Sequence, residues 1–302
     1  MMVFFMKNSI NKSKFQLIIS MIIFGTIGIF RKYIDIPSSV LAMARGFIGV
    51  FFLLAVTFLK RNKLSFSALK KNFVYLLLSG AFIGFNWILL FESYNYTSVS
   101  IATLCYYMAP VIVIILSPLV LKEKLSFVKI TSIIVALIGM VFVSGVLKSG
   151  IGSIQEMKGI LFGLGAASLY ACVILLNKKI KFISPFDKTI YQLAIAGIVL
   201  LPYTYITEDF STINLNTKSL CLLLVVGIIH TGITYYLYFG SLSGLDAQTA
   251  ALYSYIDPIF AILLSAFLLK EAMGISEIIG TILILGSTLF CELSPSLTKK
   301  RK

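Results

Sequence analysis

Charged side chains are scarce in this chain. They make up 13% of its 302 residues, about half the share of an ordinary soluble domain, which is roughly 25%. Too little polar surface is left to clothe a water-soluble fold of this size. Acids are scarcer than bases, 12 Asp and Glu against 26 Lys and Arg, for a net charge of +14. That balance could suit nucleic acid, but the bases sit in short clusters between apolar runs. No segment joins a basic surface to a soluble fold, so no nucleic-acid partner is expected. Cysteine is rare too: Cys105, Cys172, Cys221 and Cys291 have no CxxC spacing, which argues against a disulfide framework or a zinc site. There is one histidine and no clustered His/Asp/Glu set, so no metal is expected. No P-loop pattern is present, so ATP-driven pumping by this chain is not expected, and no cofactor is called for. The opening MMVFFMKNSINKSK lacks the basic, apolar, small-residue order of a cleaved leader. The first long apolar run is therefore expected to stay as a membrane span.

Apolar runs, by contrast, are abundant. Hydrophobic residues make up 59% of the chain, and the mean hydropathy is +0.98. A helix rising 1.5 Å per residue needs about 20 residues to cross a hydrocarbon core of about 30 Å. Runs of that length recur throughout, without the alternation of a membrane β-barrel. The expected fold is an all-α membrane protein of ten transmembrane helices, at residues 15–34, 37–59, 73–94, 98–121, 127–147, 159–178, 186–206, 219–240, 247–269 and 275–293. If both termini are cytoplasmic, 19 Lys and Arg fall on the inner side and six on the outer. Basic residues concentrate on the cytoplasmic side of short loops. The expected location is therefore the cell (inner) membrane, multi-pass, with both termini inside and lipid as the surrounding partner.

An internal repeat stands out. Residues 100–123 read SIATLCYYMAPVIVIILSPLVLKE, and residues 248–271 read QTAALYSYIDPIFAILLSAFLLKE. Ten of the 24 positions are identical, among them Tyr107/Tyr255, Pro110/Pro258, Ser117/Ser265, Lys122/Lys270 and Glu123/Glu271. Shared apolar composition explains matched Leu and Ile, but not matched Tyr, Pro, Ser and Lys-Glu in one register. The copies are spans 4 and 9, so an odd number of spans separates equivalent elements and the halves have opposite orientation. The expected organisation is a five-plus-five inverted-topology repeat, residues 1–148 and 149–302. Secondary transporters commonly have this plan, with the substrate near midplane between the halves.

On these residues the chain resembles the drug/metabolite transporter (DMT) superfamily, EamA type. The resemblance is carried by NWILLFESYNYTSVSIATLCYYMAPVIVIILSPLVLKEKLS (86–126), with Tyr94–Ser98, Ser100–Leu104, Pro110 and Glu123. Ala250–Leu252, Pro258 and Glu271 echo it, and Arg45 matches the arginine that often begins the family's second span. The resemblance implies a permease. It leaves the cargo open, because members carry amino acids, nucleotide-linked sugars, drugs and other metabolites.

Several residues are candidates for the work of transport. Pro110 and Pro258 fall halfway along spans. Proline removes a backbone donor and clashes with the carbonyl four residues back, costing about 3 kcal/mol in a helix interior. They are either static kinks or paired hinges, one per half. Asp257 is a carboxylate at midplane, where insertion costs roughly 2.5–3.5 kcal/mol. Its counterpart in the first half is Ala109, so the repeat itself does not require it. It is expected to bind an amino group or carry a proton, unless it is held neutral by a carbonyl that Pro258 frees. Arg45 can grip a carboxylate with two parallel bonds, or pair structurally with Asp257 or Glu92. Glu92, near a span end, and His230, the only histidine, are further proton-coupling candidates, with solvation and interhelical bonding as their plainer roles. Asn86, Trp87, Tyr107, Tyr235 (the repeat counterpart of Trp87) and Tyr255 are expected to line a pocket, if they are not packing residues.

The expected function is secondary transport of a small metabolite, an amino acid or a related compound, by alternating access and in the outward direction. The alternative is a membrane-embedded enzyme acting on a lipid or isoprenoid, with Asp257, His230 and Glu92 as acid and base. The absence of a clustered catalytic motif weighs against it, and the chain is expected not to be an enzyme. Spans 5 and 10, nearly free of internal charge, are expected to face lipid or a second protomer in a homodimer.

Overall fold

The computed structural model describes residues 2–61, 63–121, 127–143, 153–211, 213, 216–242, 253, 256–271 and 273–299. Among them every regular element is helical: α1 (Met2–Gly25), α2 (Ile27–Tyr33), α3 (Ser38–Leu59), α4 (Phe66–Tyr96), α5 (Val99–Tyr106), α6 (Ala109–Leu121), α7 (Phe127–Val143), α8 (Ile154–Asn177), α9 (Pro185–Thr207), α10 (Thr217–Val225), a π-helical stretch (Val226–Ile233), α11 (Thr234–Leu242), α12 (Ile256–Leu268) and α13 (Ile275–Lys299). Ser65, Ser98, Ser153, Ser184 and Asn216 each cap a helix, accepting the backbone N–H three residues on, which satisfies one of the donors a helix start leaves open.

Among the described residues, seven segments are long and apolar enough to cross a membrane: Asn11–Tyr33, Ser38–Leu59, Phe66–Tyr96, Val99–Leu116, Ile154–Asn177, Phe186–Thr207 and Thr217–Tyr238. Three shorter apolar helices, Ile130–Val143, Ile256–Leu268 and Ile275–Ser287, lie where spans 5, 9 and 10 were expected. Ten full-length spans are thus more than the described residues provide. The stretches flanking the fifth and ninth, residues 144–152, 243–252 and 254–255, lie outside them. In the tenth, polar residues Glu292, Ser294, Ser296 and Lys299 end the apolar run.

Several expected spans are broken rather than continuous. Span 4 divides at Tyr107–Met108, where Met108 N bonds Cys105 O at 3.1 Å. Pro110 is the second residue of the helix that resumes at Ala109, where its missing N–H has no partner to lose. There the mid-span proline starts a new helix instead of bending an old one. Pro258 lies in α12, and residues 254–255 just before that helix lie outside the described residues. Span 1 breaks at Thr26 between α1 and α2. Span 8 widens into the π-helical stretch, where Thr231 Oγ1, and Thr234 Oγ1 just after it, donate to the carbonyls of Val226 (3.1 Å) and Ile229 (2.7 Å), five residues back.

Close backbone approach fixes how these broken helices meet. A Cβ on Gly227 would stand 2.5 Å from Ile48 Cγ2, and one on Gly49 would stand 2.5 Å from Thr231 Cγ2. Glycines on both partners therefore seat α3 against the π-helical stretch. A Cβ on Gly25 would lie 2.8 Å from the Asp257 carbonyl oxygen and 3.2 Å from Ala261 N, so α1 rests on the backbone that carries Asp257. Backbone cannot move aside as a side-chain tip can, and overpacking typically costs about 1–3 kcal/mol. Gly25→Val is expected to lose at least that much stability, read as a lower thermal midpoint in detergent. An unchanged midpoint would mean that α1 and α12 do not meet as described.

α4 is the central post. Asn72 bridges to Lys181 through both amide atoms (2.8 and 3.1 Å), Gln192 Nε2 donates to Ser79 Oγ at 2.7 Å, and Ser93 Oγ donates to Gly159 O at 2.7 Å. These bonds bind the first half of the chain to the second. α13 packs chiefly against α7, with Gly139 and Gly280 at the crossing, as small residues permit in lipid. The outward faces of this pair, Ile134, Leu137, Ile138, Ile278 and Ile282, are exposed aliphatic side chains.

Candidate functional site

The site gathers around Arg45 on α3 and Asp257 on α12. Arg45 is only 4% exposed. Its guanidinium carbon lies 4.4 Å above the Trp87 ring and 5.4 Å from the Phe91 ring, within cation–π reach. Its Nε donates to Thr231 Oγ1 at 3.0 Å. Thr231 gives its own proton to Val226 O, so the widened turn of span 8 offers Arg45 an acceptor. The structure places Arg45 in no ion pair with Asp257 or Glu92; among the described residues the one salt bridge is Lys32–Glu271 at 4.0 Å. A guanidinium without a carboxylate partner, held flat on an indole, is available to an anionic group.

Asp257 stands in the first turn of α12 and is hydrogen-bonded by the Tyr107 hydroxyl, which the break after α5 presents to it. Tyr94, Tyr106 and Tyr170 also lie within its electrostatic reach. Phenols run from Asp257 towards Arg45. Tyr107 meets Tyr106 edge-on at 6.1 Å, and Tyr106 meets Tyr170 at 5.5 Å. Tyr235 and Tyr238 adjoin Tyr170, and both stack against Phe24, at 5.3 and 6.2 Å. Tyr94, Tyr106 and Tyr235 lie around Arg45. Tyr106, Tyr107, Tyr235, Tyr238 and Asp257 are only half-buried and Tyr170 is 36% exposed, although they interact with one another across α5, α8, α11 and α12. They therefore border a cleft between helices drawn from both halves of the chain. One carboxylate, one guanidinium and a wall of phenols can bind a small molecule with an ammonium, a carboxylate and an apolar body.

The expected site residues divide accordingly. Arg45, Asn86, Trp87, Tyr107, Tyr235 and Asp257 come together. Trp87 and Tyr235, the repeat counterparts, are hydrogen-bonded to each other. Asn86 commits its Nδ2 to Ala166 O at 2.6 Å and touches Tyr106, so it braces the wall. Tyr255 lies outside the described residues. Glu92 belongs elsewhere, near Arg31 and with Asn95 Nδ2 at 3.4 Å. His230 is 2% exposed, stacks on Phe30 at 4.8 Å and has Nε2 at 2.7 Å from Thr26 Oγ1. Thr26 gives its proton to Ile23 O at 2.7 Å, so His230 is the donor and bridges the break in span 1. Asp257, His230 and Glu92 thus have separate partners and form no acid–base set. Sequence reasoning passed over Thr231, Tyr170 and Tyr238. For Tyr170 a signal existed: a phenol set deep in an otherwise aliphatic span, away from the interfaces where tyrosine usually sits.

Helices broken at midplane, meeting at a charged cleft between two halves, define a membrane protein built to handle a solute inside the bilayer. Residues 12–145 and 157–292 each match the EamA-like transporter family, so the chain belongs to that family and is an integral membrane protein. The uncharacterized transporter YxxF of Bacillus subtilis (strain 168) is 33% identical over 275 residues, covering 89% of this chain and 86% of that one. The uncharacterized transporter YoaV of the same organism is 27% identical, covering 83% and 85%. A protein of known crystal structure shares the fold, with a TM-score of 0.66 at 17% identity, over 93% of this chain and 98% of that one.

Proposed function

We propose that this protein is a secondary transporter that moves an amino acid or a related zwitterion outward across the cell membrane by alternating access. The observation that carries the reading is the cleft itself, with an unpaired Arg45 and a Tyr107-bonded Asp257 at its two ends and both halves contributing to its wall. Arg45 would take the carboxylate, Asp257 the ammonium, and Tyr106, Tyr170 and Tyr235 the side chain. Outward movement follows the family resemblance. In this reading the halves, 1–148 and 149–302, are five spans each in opposite orientation, with both termini in the cytoplasm. They rock about hinges at Pro110 and Pro258. Proton coupling falls to Asp257. A homodimer through spans 5 and 10 would use the groove between α7 and α13, about 280 Å³, lined by Thr131, Ser132 and Gly286 among others.

Counterflow in proteoliposomes with a panel of labelled amino acids tests the proposal. Accumulation of one chemical class, competed by zwitterions and not by their amides or esters, is the expected result. Counterflow of sugars or neutral drugs alone, or of nothing in folded protein, would overturn the zwitterion reading.

A further inference from the structure

We propose that one face of α5 is a proton route, joining the Glu271 carboxylate at the end of the bundle to Asp257 at its middle. Its purpose rests on the transport reading above, but its geometry stands apart from it.

Ser100, Thr103 and Tyr107 follow one another at spacings of three and four, which places them on one side of α5 and its C-cap. The other side is taken by α8, since a Cβ on Gly163 would meet Cys105 Cβ at 2.7 Å and Ala102 O at 3.4 Å. Ser100 is 1% exposed and Thr103 4%. Neither hydroxyl oxygen has a hydrogen-bond partner; the Tyr94 hydroxyl comes close to Thr103 without forming a well-aligned bond. Buried hydroxyls in helices usually turn back to a carbonyl of the preceding turn. Ser20 and Thr57 of this protein do so, while Ser100 and Thr103 do not. Two buried, unsatisfied hydroxyls in line are free to bond waters and each other, and a hydroxyl both donates and accepts.

Each end of the line finishes on a carboxylate. At the inner end Tyr107 bonds Asp257. At the outer end Glu271 Oε2 accepts the N–H of Val99, the residue before Ser100, at 2.9 Å, and also accepts from Ser265 Oγ. Lys270, at φ 55°, turns the chain so that Glu271 arrives there. From Ser100 to Tyr107 the helix rises about 10 Å, a span that three hydroxyls and a few bridging waters can cover. A proton taken up by Glu271 passes down the line as each hydroxyl accepts one proton and releases another. Asp257 ends protonated and Glu271 returns to its carboxylate. The groups facing Asp257 are Tyr94, Tyr106, Tyr107 and Tyr170, and the group facing Glu271 is Lys32, which also bonds Thr97 O at 3.3 Å. Protonation of Glu271 releases Lys32, so uptake at the mouth loosens the contact that holds α2 against it.

The test is the double variant Ser100→Ala/Thr103→Val, which deletes two unsatisfied hydroxyls and keeps their volume. Counterflow should stay within about twofold of the parent, while accumulation driven by a pH gradient falls about tenfold, the rate equivalent of one lost hydrogen bond. Equal loss in both assays, loss in neither, or a parent indifferent to the gradient would overturn the route. If the parent shows no counterflow, the transport reading fails and infrared spectroscopy decides the route alone. Hydrogen–deuterium exchange of the Asp257 carboxyl, identified by its absence in Asp257→Asn, should slow about tenfold in the double variant. Equal exchange rates, or no such carboxyl signal, would overturn it.

Discussion

Asp257→Asn should reduce transport by about 10- to 100-fold, the equivalent of losing one hydrogen bond to a charged group, 1.5–3 kcal/mol. It should also abolish the response to an imposed pH gradient. Asparagine keeps the size of the side chain and can still accept from the Tyr107 hydroxyl, so the wall of the cleft stays intact. What it loses is the negative charge and the capacity to take a proton. A carboxylate at this depth is costly, roughly 2.5–3.5 kcal/mol, and the equivalent Ala109 shows that the repeat can be built without it. The reading to be beaten is a structural one, in which Asp257 merely satisfies Tyr107. Asparagine would serve that role as well, so unchanged initial rates of labelled-cargo uptake across the pH range would dismiss both binding and proton carriage.

Arg45→Ala should have the second large effect, and on stability as well as transport. The substitution removes a desolvated cation–π contact with Trp87, about 2 kcal/mol. It also removes a charged hydrogen bond to Thr231, about 1.5–3 kcal/mol, for a combined loss of about 4 kcal/mol. The thermal midpoint should fall, and the remaining folded protein should no longer bind carboxylate-bearing cargo. Arg45→Lys separates the two effects. It keeps the charge but cannot lie flat on the indole or present the same fork, so it should restore part of the stability and little of the transport. Full transport by Arg45→Lys, measured as counterflow, would mean that the positive charge suffices and the guanidinium fork is not needed.

Much of the site was legible because polar residues are so few. Against a background of apolar spans, Arg45, Asp257, Asn86 and Trp87 are conspicuous, and the Tyr107–Pro110 register marked where span 4 breaks. What stayed hidden depends on backbone geometry. A lipid-facing helix is apolar on every side, so the change from α- to π-helical winding at Val226–Ile233 leaves no trace in hydrophobic periodicity, and with it Thr231 went unseen. The break at Thr26 was equally silent, since its partner His230 is 204 residues away.

The chain has a single tryptophan, and it is the ring on which the Arg45 guanidinium rests. When it is excited at wavelengths that the 15 tyrosines do not absorb, its fluorescence therefore comes from one place only, the floor of the cleft. Any solute that draws Arg45 away from the indole, or brings a carboxylate beside it, changes the field on that one fluorophore. Unlabelled compounds can then be titrated in detergent by emission alone, and the cargo sought among hundreds of candidates before a single vesicle is made.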